Sequence, residues 1–267
     1  MQSRMKSRII GFSRRIRYEW LEHAAELCVA VGNAPESEVN TVSWDAQVTG
    51  RIRQGLREYL AHQMCVPVDV PSESRDKAAT LLSRIWSSVP SDVVMLRDEA
   101  LELYARVSEP ERLALHWGMV IAVYPFVFEM AEVVGRLLRL QKTFRLSQVR
   151  ERIEDIAGQR PTVYHAVPKV IRSFVDWRVL ASPLDGTGVY SGTEPLPIHD
   201  ETLLAWLVEA MLHAKSAPAL PLVSLVNSPG LFPFFIEPGS TTDYVIRKNP
   251  RLTVFRQGVS EVMVGLL

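Results

Sequence analysis

Apolar residues recur every three or four positions through the first half of the chain, which is the spacing of amphipathic helices. Four such segments stand at residues 17–31, 43–63, 74–88 and 92–106. Ser108, followed three positions later by Glu111 and with Pro110 between them, has the pattern of a capping box that opens a fifth helix. We expect that helix to end near Pro125. The pattern therefore predicts a helical domain over residues 1–125.

Residues 126–192 show a different order of elements. The pattern predicts an amphipathic helix, a short extended segment, a helix capped by Ser147, a helix opened by Pro161 and a two-stranded hairpin. Their expected ranges are 126–141, 143–146, 148–157, 161–177 and 179–190. Pro168 lies inside the last of these helices and removes one backbone donor, so we expect a kink or a later start there.

This order of elements resembles the winged helix-turn-helix family. The stretches that carry the resemblance are 144–153, Phe-Arg-Leu-Ser-Gln-Val-Arg-Glu-Arg-Ile, and 167–180, Val-Pro-Lys-Val-Ile-Arg-Ser-Phe-Val-Asp-Trp-Arg-Val-Leu. The resemblance implies a winged helix-turn-helix domain over residues 126–192, whose recognition helix, opened by Pro161, enters the major groove of double-stranded DNA. The wing tip departs from the family because it lacks lysine and arginine, so we expect no wing–phosphate contact.

The outward face of the recognition helix supplies the candidate DNA contacts. Apolar side chains at three- and four-residue steps predict an inward face formed by Val163, Val167, Val170, Ile171 and Phe174. The N-terminal part of the opposite face is expected to meet base edges through Thr162, Tyr164 and His165. We expect phosphate contacts from Arg160, Lys169 and Arg172, and additional contacts from Arg145, Arg150 and Arg152.

Other interpretations of this segment stay open. Many winged-helix domains bind protein, and a basic stripe on a helix is often only a solvated face. Asp176 and Glu151 also weaken the positive field around the recognition helix.

Residues 193–267 are expected to form a C-terminal α/β unit, after a boundary marked by glycines and by Pro195 and Pro197. Asp200 is a candidate cap for a helix over residues 201–215. The alternating pattern around residues 257–260 predicts a β-hairpin at the end of the chain. Helix, loop and hairpin is also the order of a second winged-helix-like unit.

One uncharged run, residues 216–236, is long enough to cross a bilayer. Its four prolines would leave backbone groups unpaired in lipid, so we expect the run to be buried in protein. No apolar leader with a cleavage site opens the sequence, and we therefore expect a cytoplasmic protein without membrane contact.

Charge is balanced over the whole chain, with 30 basic and 30 acidic residues, but it is unevenly distributed. Residues 1–20 hold six basic side chains and one acidic side chain, and residues 142–192 hold eight and five. Residues 21–141 hold 11 basic and 17 acidic side chains. A polyanion would therefore be attracted to residues 1–20 and 142–192 and repelled by residues 21–141. The alternative for the N-terminal cluster is a solvated tail.

Motifs for catalysis or metal binding are missing from the sequence. The six histidines form no His-x-x-x-His pair, and two cysteines are too few for a four-ligand zinc site. The chain also lacks phosphate-binding and dinucleotide-binding glycine motifs and a Gly-x-Ser-x-Gly nucleophile motif. We therefore expect a protein that is not an enzyme and that has no cofactor, no metal and no small-molecule substrate.

The layout of the whole chain is similar to that of the BrxA component of bacterial BREX phage-defence systems. The similarity rests on the helical first half, the DNA-binding unit and residues 117–126, Trp-Gly-Met-Val-Ile-Ala-Val-Tyr-Pro-Phe. It implies an antiviral defence protein that binds double-stranded DNA together with other protein subunits. The alternative function is a scaffold or adaptor subunit whose winged helix binds a partner protein.

Overall fold

The computed structural model describes residues 10–32, 44–63, 72–182, 187–237, 243–258 and 261–267. This part of the chain is mainly helical, with small β-sheets and a C-terminal strand hairpin. The sequence prediction of a mainly α-helical fold is therefore confirmed.

The N-terminal half is built from helices whose bounds lie within a few residues of the prediction. They are α1 (Tyr18–Gly32), α2 (Ala46–Gln63), α3 (Ser72–Trp86), α4 (Val94–Tyr104), α5 (Arg112–Val123) and α6 (Pro125–Gln141). Asp45 caps α2, since its Oδ1 accepts hydrogen bonds from the backbone N–H groups of Gln47 and Val48 at 2.8 Å. Ser43, the cap expected from the sequence, lies outside the described residues.

The Ser108–Glu111 pair forms, but it stands before the helix instead of inside it. Glu111 Oε2 accepts hydrogen bonds from the Ser108 hydroxyl at 2.6 Å and from the Ser108 N–H at 3.2 Å. Residues 109–111 form a turn, and α5 begins at Arg112. The cap predicted at Ser108 would open the helix at residue 109, so the prediction was three residues early; the Glu111 carboxylate closes a turn over these residues instead.

A small antiparallel sheet and two helices follow α6. The elements are β1 (Thr143–Arg145), α7 (Leu146–Ala157), α8 (Pro161–Asp176), β2 (Leu180–Ala181) and β3 (Val189–Gly192), with β3 paired between β1 and β2. The predicted cap at Ser147 is wrong, because α7 begins at Leu146. The side-chain oxygen of Gln148 accepts a hydrogen bond from the Arg145 N–H at 2.8 Å and thereby fixes the earlier start.

The C-terminal part contains short strands around one long helix. Its elements are β4 (Leu196–Pro197), α9 (Glu201–Lys215), β5 (Ala219–Pro221), α10 (Leu222–Val226), β6 (Phe234–Phe235), α11 (Asp243–Ile246), β7 (Leu252–Gln257) and β8 (Glu261–Leu266). The Asp200 cap is confirmed, since Asp200 Oδ1 accepts a hydrogen bond from the Leu203 N–H at 2.8 Å. The terminal hairpin is also confirmed: β7 and β8 pair antiparallel, and β5 adds a third strand beside β8.

The uncharged run of residues 216–236 folds into short strands and helical turns. The expectation that it is buried holds only in part, because Val223 is 68% exposed and Phe235 is 52% exposed. None of the helices in the described ranges has both the length and the apolarity to span a membrane. Taken together, α5 and α6 would be long and apolar enough, but the chain bends by 118° between the two helices.

The buried apolar side chains form one continuous cluster that passes from the N-terminal helices into the C-terminal unit. Helix α5 packs against α9 so closely that a Cβ at Gly118 would lie 2.3 Å from the Trp206 ring. Trp117 is fully buried, and its ring contacts four aromatic rings: Phe174 of α8, Trp177 directly after it, Phe232, and Phe234 of β6. This cluster holds α8 on a rigid support.

Candidate nucleic-acid interface

Helix α8 has one face fixed in the core and one face towards solvent. Pro161 occupies its first turn, and the guanidinium of Arg160 donates hydrogen bonds to the Ala157 carbonyl oxygen at 2.9 and 3.1 Å. The five residues predicted to face inwards are all completely buried: Val163, Val167, Val170, Ile171 and Phe174.

The helix runs without interruption through Pro168, so the later start is excluded. The missing N–H of Pro168 would have bonded to the carbonyl of Tyr164, one turn earlier.

The opposite face of α8 carries the side chains that the sequence assigned to DNA. Thr162, His165 and Arg172 are exposed, as is Arg160 at the N-cap. Lys169 is half-buried. Burial lowers the pKa of the Lys169 ammonium, and the positive charges of Arg14 and Lys77 lower it further. Arg14 and Lys77, from other parts of the chain, therefore lie within electrostatic range of Lys169.

Tyr164 and Arg150 pack on each other instead of facing solvent independently. The Arg150 guanidinium lies 4.1 Å from the centre of the Tyr164 ring, which is a cation–π contact between α7 and α8. The His165 ring meets the same tyrosine edge-on at 5.4 Å. Arg150 is half-buried. It is therefore better placed to orient the Tyr164 ring than to reach a phosphate.

Arg145 and Arg152 lie at the two ends of the neighbouring surface. Arg145 in β1 is exposed, and its Nη1 is 3.4 Å from the carbonyl oxygen of Thr187, just before β3. Arg152 in α7 is exposed and donates a hydrogen bond to the Gln148 carbonyl at 3.1 Å. Exposed carboxylates of Glu151 and Asp155 lie on α7 together with Arg152. The basic character of this surface is therefore concentrated on α8.

The first described residues are not a solvated tail, because they bind along α8. The Ile16 N–H donates a hydrogen bond to Ser173 Oγ at 2.9 Å, and the indole N–H of Trp177 donates to the Ile16 carbonyl at 3.0 Å. Phe12 and Ile16 are completely buried. We name residues 10–17 the N-terminal strap. The alternation of apolar and basic residues in this stretch was the available sequence signal, and the sequence analysis missed it.

The strap also changes the charge of the interface. Arg15 donates two hydrogen bonds of 2.5 Å to the carboxylate of Asp176. Asp176, which the sequence suggested would weaken the positive field, is thus neutralised by an arginine from the N-terminal cluster.

Two polar networks elsewhere in the molecule were not predicted from the sequence. Glu22 of α1 accepts hydrogen bonds from His116 Nε2 at 2.8 Å and from the hydroxyls of Tyr104 at 2.5 Å and Tyr18 at 2.7 Å. Burial alone would raise the pKa of Glu22, but these hydrogen bonds lower it to about 2. Burial lowers the pKa of His116, against the opposing effect of Glu22.

The second network joins α9 to the segment before β7. Glu209 is 2% exposed and accepts hydrogen bonds from Arg251 Nε at 2.8 Å and from Asn249 Nδ2 at 2.6 Å. Burial alone would raise the pKa of Glu209, but His213, whose Nε2 lies 3.8 Å away, and hydrogen bonds from Arg251 and Asn249 lower it to about 2. Among the residues that the structure describes, no cluster of histidine, cysteine and carboxylate side chains is arranged to hold a metal ion.

Comparisons of the chain with protein-family models, with curated proteins and with solved structures find no match.

Proposed function

We propose that this protein binds double-stranded DNA through α8 and catalyses no reaction on it. The observation that carries the proposal is the division of α8 into two faces. Its apolar face is completely buried, while Thr162, His165 and Arg172 stand exposed on the other face. A rigid helix with exposed cations and hydrogen-bonding groups is suited to the major groove.

The neighbouring elements support assigning residues 126–192 to a winged helix-turn-helix unit. Helices α7 and α8 pack together, and β2 and β3 form a hairpin to which β1 adds as a third strand. In that arrangement the N-terminal part of α8 reads base edges, with Thr162, Tyr164 and His165 as the candidates. Arg160, Lys169 and Arg172 contact phosphates, and Arg145 adds a contact from β1. The C-terminal unit, with α9 followed by a hairpin, is a candidate for a second winged-helix-like fold.

A double charge reversal tests the placement of the DNA on α8. We expect Lys169→Glu combined with Arg172→Glu to weaken binding to a short mixed-sequence duplex by about 100-fold or more at low salt, because two phosphate contacts become repulsive. The matched control combines Arg106→Glu with Arg256→Glu, which changes the net charge equally at two exposed positions outside this interface. Equal effects of the two double variants would contradict the assignment to α8.

An adaptor function is the second candidate, because apolar surface stays exposed on the same unit. Ile156 of α7 is 41% exposed, and Tyr164 of α8 is 48% exposed. Such side chains are typical anchors for a partner protein. A protein contact of this kind depends weakly on salt, whereas several phosphate contacts make binding fall steeply with salt.

The similarity of layout to BrxA extends the proposal to a cytoplasmic DNA-binding subunit of a phage-defence assembly. The proposal is tested in a bacterial host that carries the surrounding genes. We expect the Lys169→Glu, Arg172→Glu double variant to abolish resistance to phage at unchanged protein abundance. Full resistance in that variant would contradict the extension.

A further inference from the structure

A groove lies between the N-terminal strap and the first turns of α8. Its volume is about 360 Å³. Its lining combines apolar side chains, from Ile10, Pro161 and Ala166, with hydroxyls and basic groups, from Ser13, Thr162, Arg160, His165 and Lys169. The groove exists only because the strap is fixed to the end of α8 by Arg15, Ile16 and Trp177.

The charged side chains that line the groove, Arg160 and Lys169, are both basic. No carboxylate is among the described residues that line it. Arg14 of the strap and Lys77 of α3 are close enough to Lys169 to act on it electrostatically. Glu73, which interacts electrostatically with Arg14, forms an ion pair with Lys77. Asp176, two turns further along α8, is bound to Arg15.

A lining that combines apolar side chains with basic groups and hydroxyls suits a ligand that has both an anionic end and a ring with apolar faces. A sugar phosphate has this chemistry, because the phosphate accepts charge-assisted hydrogen bonds while the carbon face of the sugar ring packs on aliphatic side chains. The volume of the groove is also in the range of small-ligand sites, above about 300 Å³.

We propose that this groove binds one phosphate and its deoxyribose from the backbone of the DNA strand, with Lys169 at the phosphate and Ile10, Pro161 and Ala166 beneath the sugar. This inference rests on the proposed function, because it takes the DNA to lie along α8. It makes the strap a wall of the interface, so that residues far apart in sequence clamp one nucleotide. A free nucleotide has the same chemistry and is the alternative source of the ligand.

Two variants test the groove from opposite sides. Lys169→Gln removes the charge while keeping most of the side-chain length, and Ser13→Trp fills the groove from the strap without changing any charge. Arg256→Gln, at an exposed position in β7, is the control for loss of one cation. Binding to a short mixed-sequence duplex is measured by fluorescence anisotropy across a salt series, and a thermal melt confirms that each variant is folded.

We expect both groove variants to reduce the slope of log affinity against log salt by about 0.9, the loss of one phosphate contact, while the control keeps the wild-type slope. If the wild-type protein binds normally and both groove variants keep the wild-type slope, the groove and the phosphate contact of Lys169 are overturned, while DNA binding by the rest of α8 still stands. Failure of the wild-type protein itself to bind would overturn both. Saturable binding of deoxyadenosine monophosphate that is lost in both variants, with duplex binding unchanged, would assign the groove to free nucleotides and overturn the backbone contact.

Discussion

His116 and Glu22 show how single residues set the protonation of the helical core. His116 is completely buried, and its Nδ1 has no hydrogen-bond partner among the described residues. A neutral ring satisfies this geometry, because Nε2–H donates to Glu22 and Nδ1 needs no acceptor. Protonation of Nδ1 would bury a donor that has nowhere to bond. The carboxylate of Glu22 is stabilised in its charged form by the same contact and by two tyrosine hydroxyls.

The pair predicts that stability is lost in acid. Glu22 has a lowered pKa in the folded state, so its contribution is complete above about pH 4.5 and disappears as the pH falls towards 2. The lowered pKa of His116 acts in the same direction, since the unfolded chain takes up that proton first as the pH falls through about 6.5.

Glu22→Gln is the corresponding test. We expect the variant to be less stable than the wild-type protein at neutral pH, and the difference in free energy of unfolding to shrink by roughly 3 kcal/mol as the carboxylate is titrated. Urea unfolding at several pH values measures it. Glu102→Gln, at an exposed site, should show no such change. A constant difference between wild type and Glu22→Gln at all pH values would contradict the lowered pKa of Glu22.

This network was not predictable from the sequence. Glu22 and His116 are 94 positions apart and lie on different helices. Neither residue stands in a local motif, because each belongs to an otherwise ordinary amphipathic pattern. Only the packing of α1 against the other helices brings them together, and pattern reasoning along one helix contains no information about that packing.

At the scale of elements, the strap contributes most to the interface and was least expected. A cluster of arginines at a chain end usually indicates a solvated segment. Here Phe12 meets the rings of Tyr124 at 5.6 Å and Trp177 at 6.5 Å, both edge-on. The apolar residues between the arginines therefore hold the segment on the core, and this packing places the arginines beside α8.

Phe12→Ala tests whether the strap is part of the core. We expect the free energy of unfolding to fall by roughly 3–5 kcal/mol, because a completely buried aromatic side chain is removed. Chemical denaturation measures the loss. Ser13→Ala, at the exposed neighbouring position, should stay within about 0.5 kcal/mol of the wild-type protein. A neutral Phe12→Ala variant would mean that the strap is a solvated tail after all.

Contact between α6 and the turn at Pro229 depends on a glycine. A Cβ at Gly135 would lie 1.9 Å from the Pro229 carbonyl oxygen. We expect Gly135→Ala to cost roughly 1–3 kcal/mol of stability, because backbone must move to admit the methyl group. Gly50→Ala in α2, where nothing lies within 4 Å of the added atom, should instead stabilise by about 0.5–1 kcal/mol. Denaturation curves for the two variants separate these effects. If both variants lose stability, the loss comes from replacing a helical glycine in general and not from the contact with Pro229.

Elements with a strong local signal were predictable. Pro161 and the apolar stripe after it predicted α8 to within one residue, and Asp200 predicted the start of α9. Prediction failed where a side chain several positions away decides the outcome, as Gln148 does at the start of α7. Among the nine candidate DNA contacts, the structure gathers Arg160, Thr162, His165, Lys169 and Arg172 on one face of α8. It packs Arg150 on Tyr164, leaves Arg145 at the edge of the sheet and leaves Arg152 exposed on α7.

The whole molecule has no net charge, so its attraction for a polyanion depends on how the charges are arranged. Folding brings the basic strap onto the basic helix α8 and pairs Asp176 with Arg15. Arg251 is also withdrawn from the surface field, because it is paired with Glu209 and Glu99 in the core. In the part of the chain that the structure describes, folding thereby forms a basic face along α8.

The salt dependence of duplex binding by the wild-type protein is the most direct measurement of this account. With Arg160, Lys169 and Arg172 each at a phosphate, log affinity should fall against log salt with a slope of about −3 or steeper, at roughly −0.9 for each contact. Fluorescence anisotropy with a mixed-sequence duplex, from low to moderate salt, measures that slope. Absence of binding at low salt, or an affinity that does not change with salt, would contradict DNA binding by the basic face of α8.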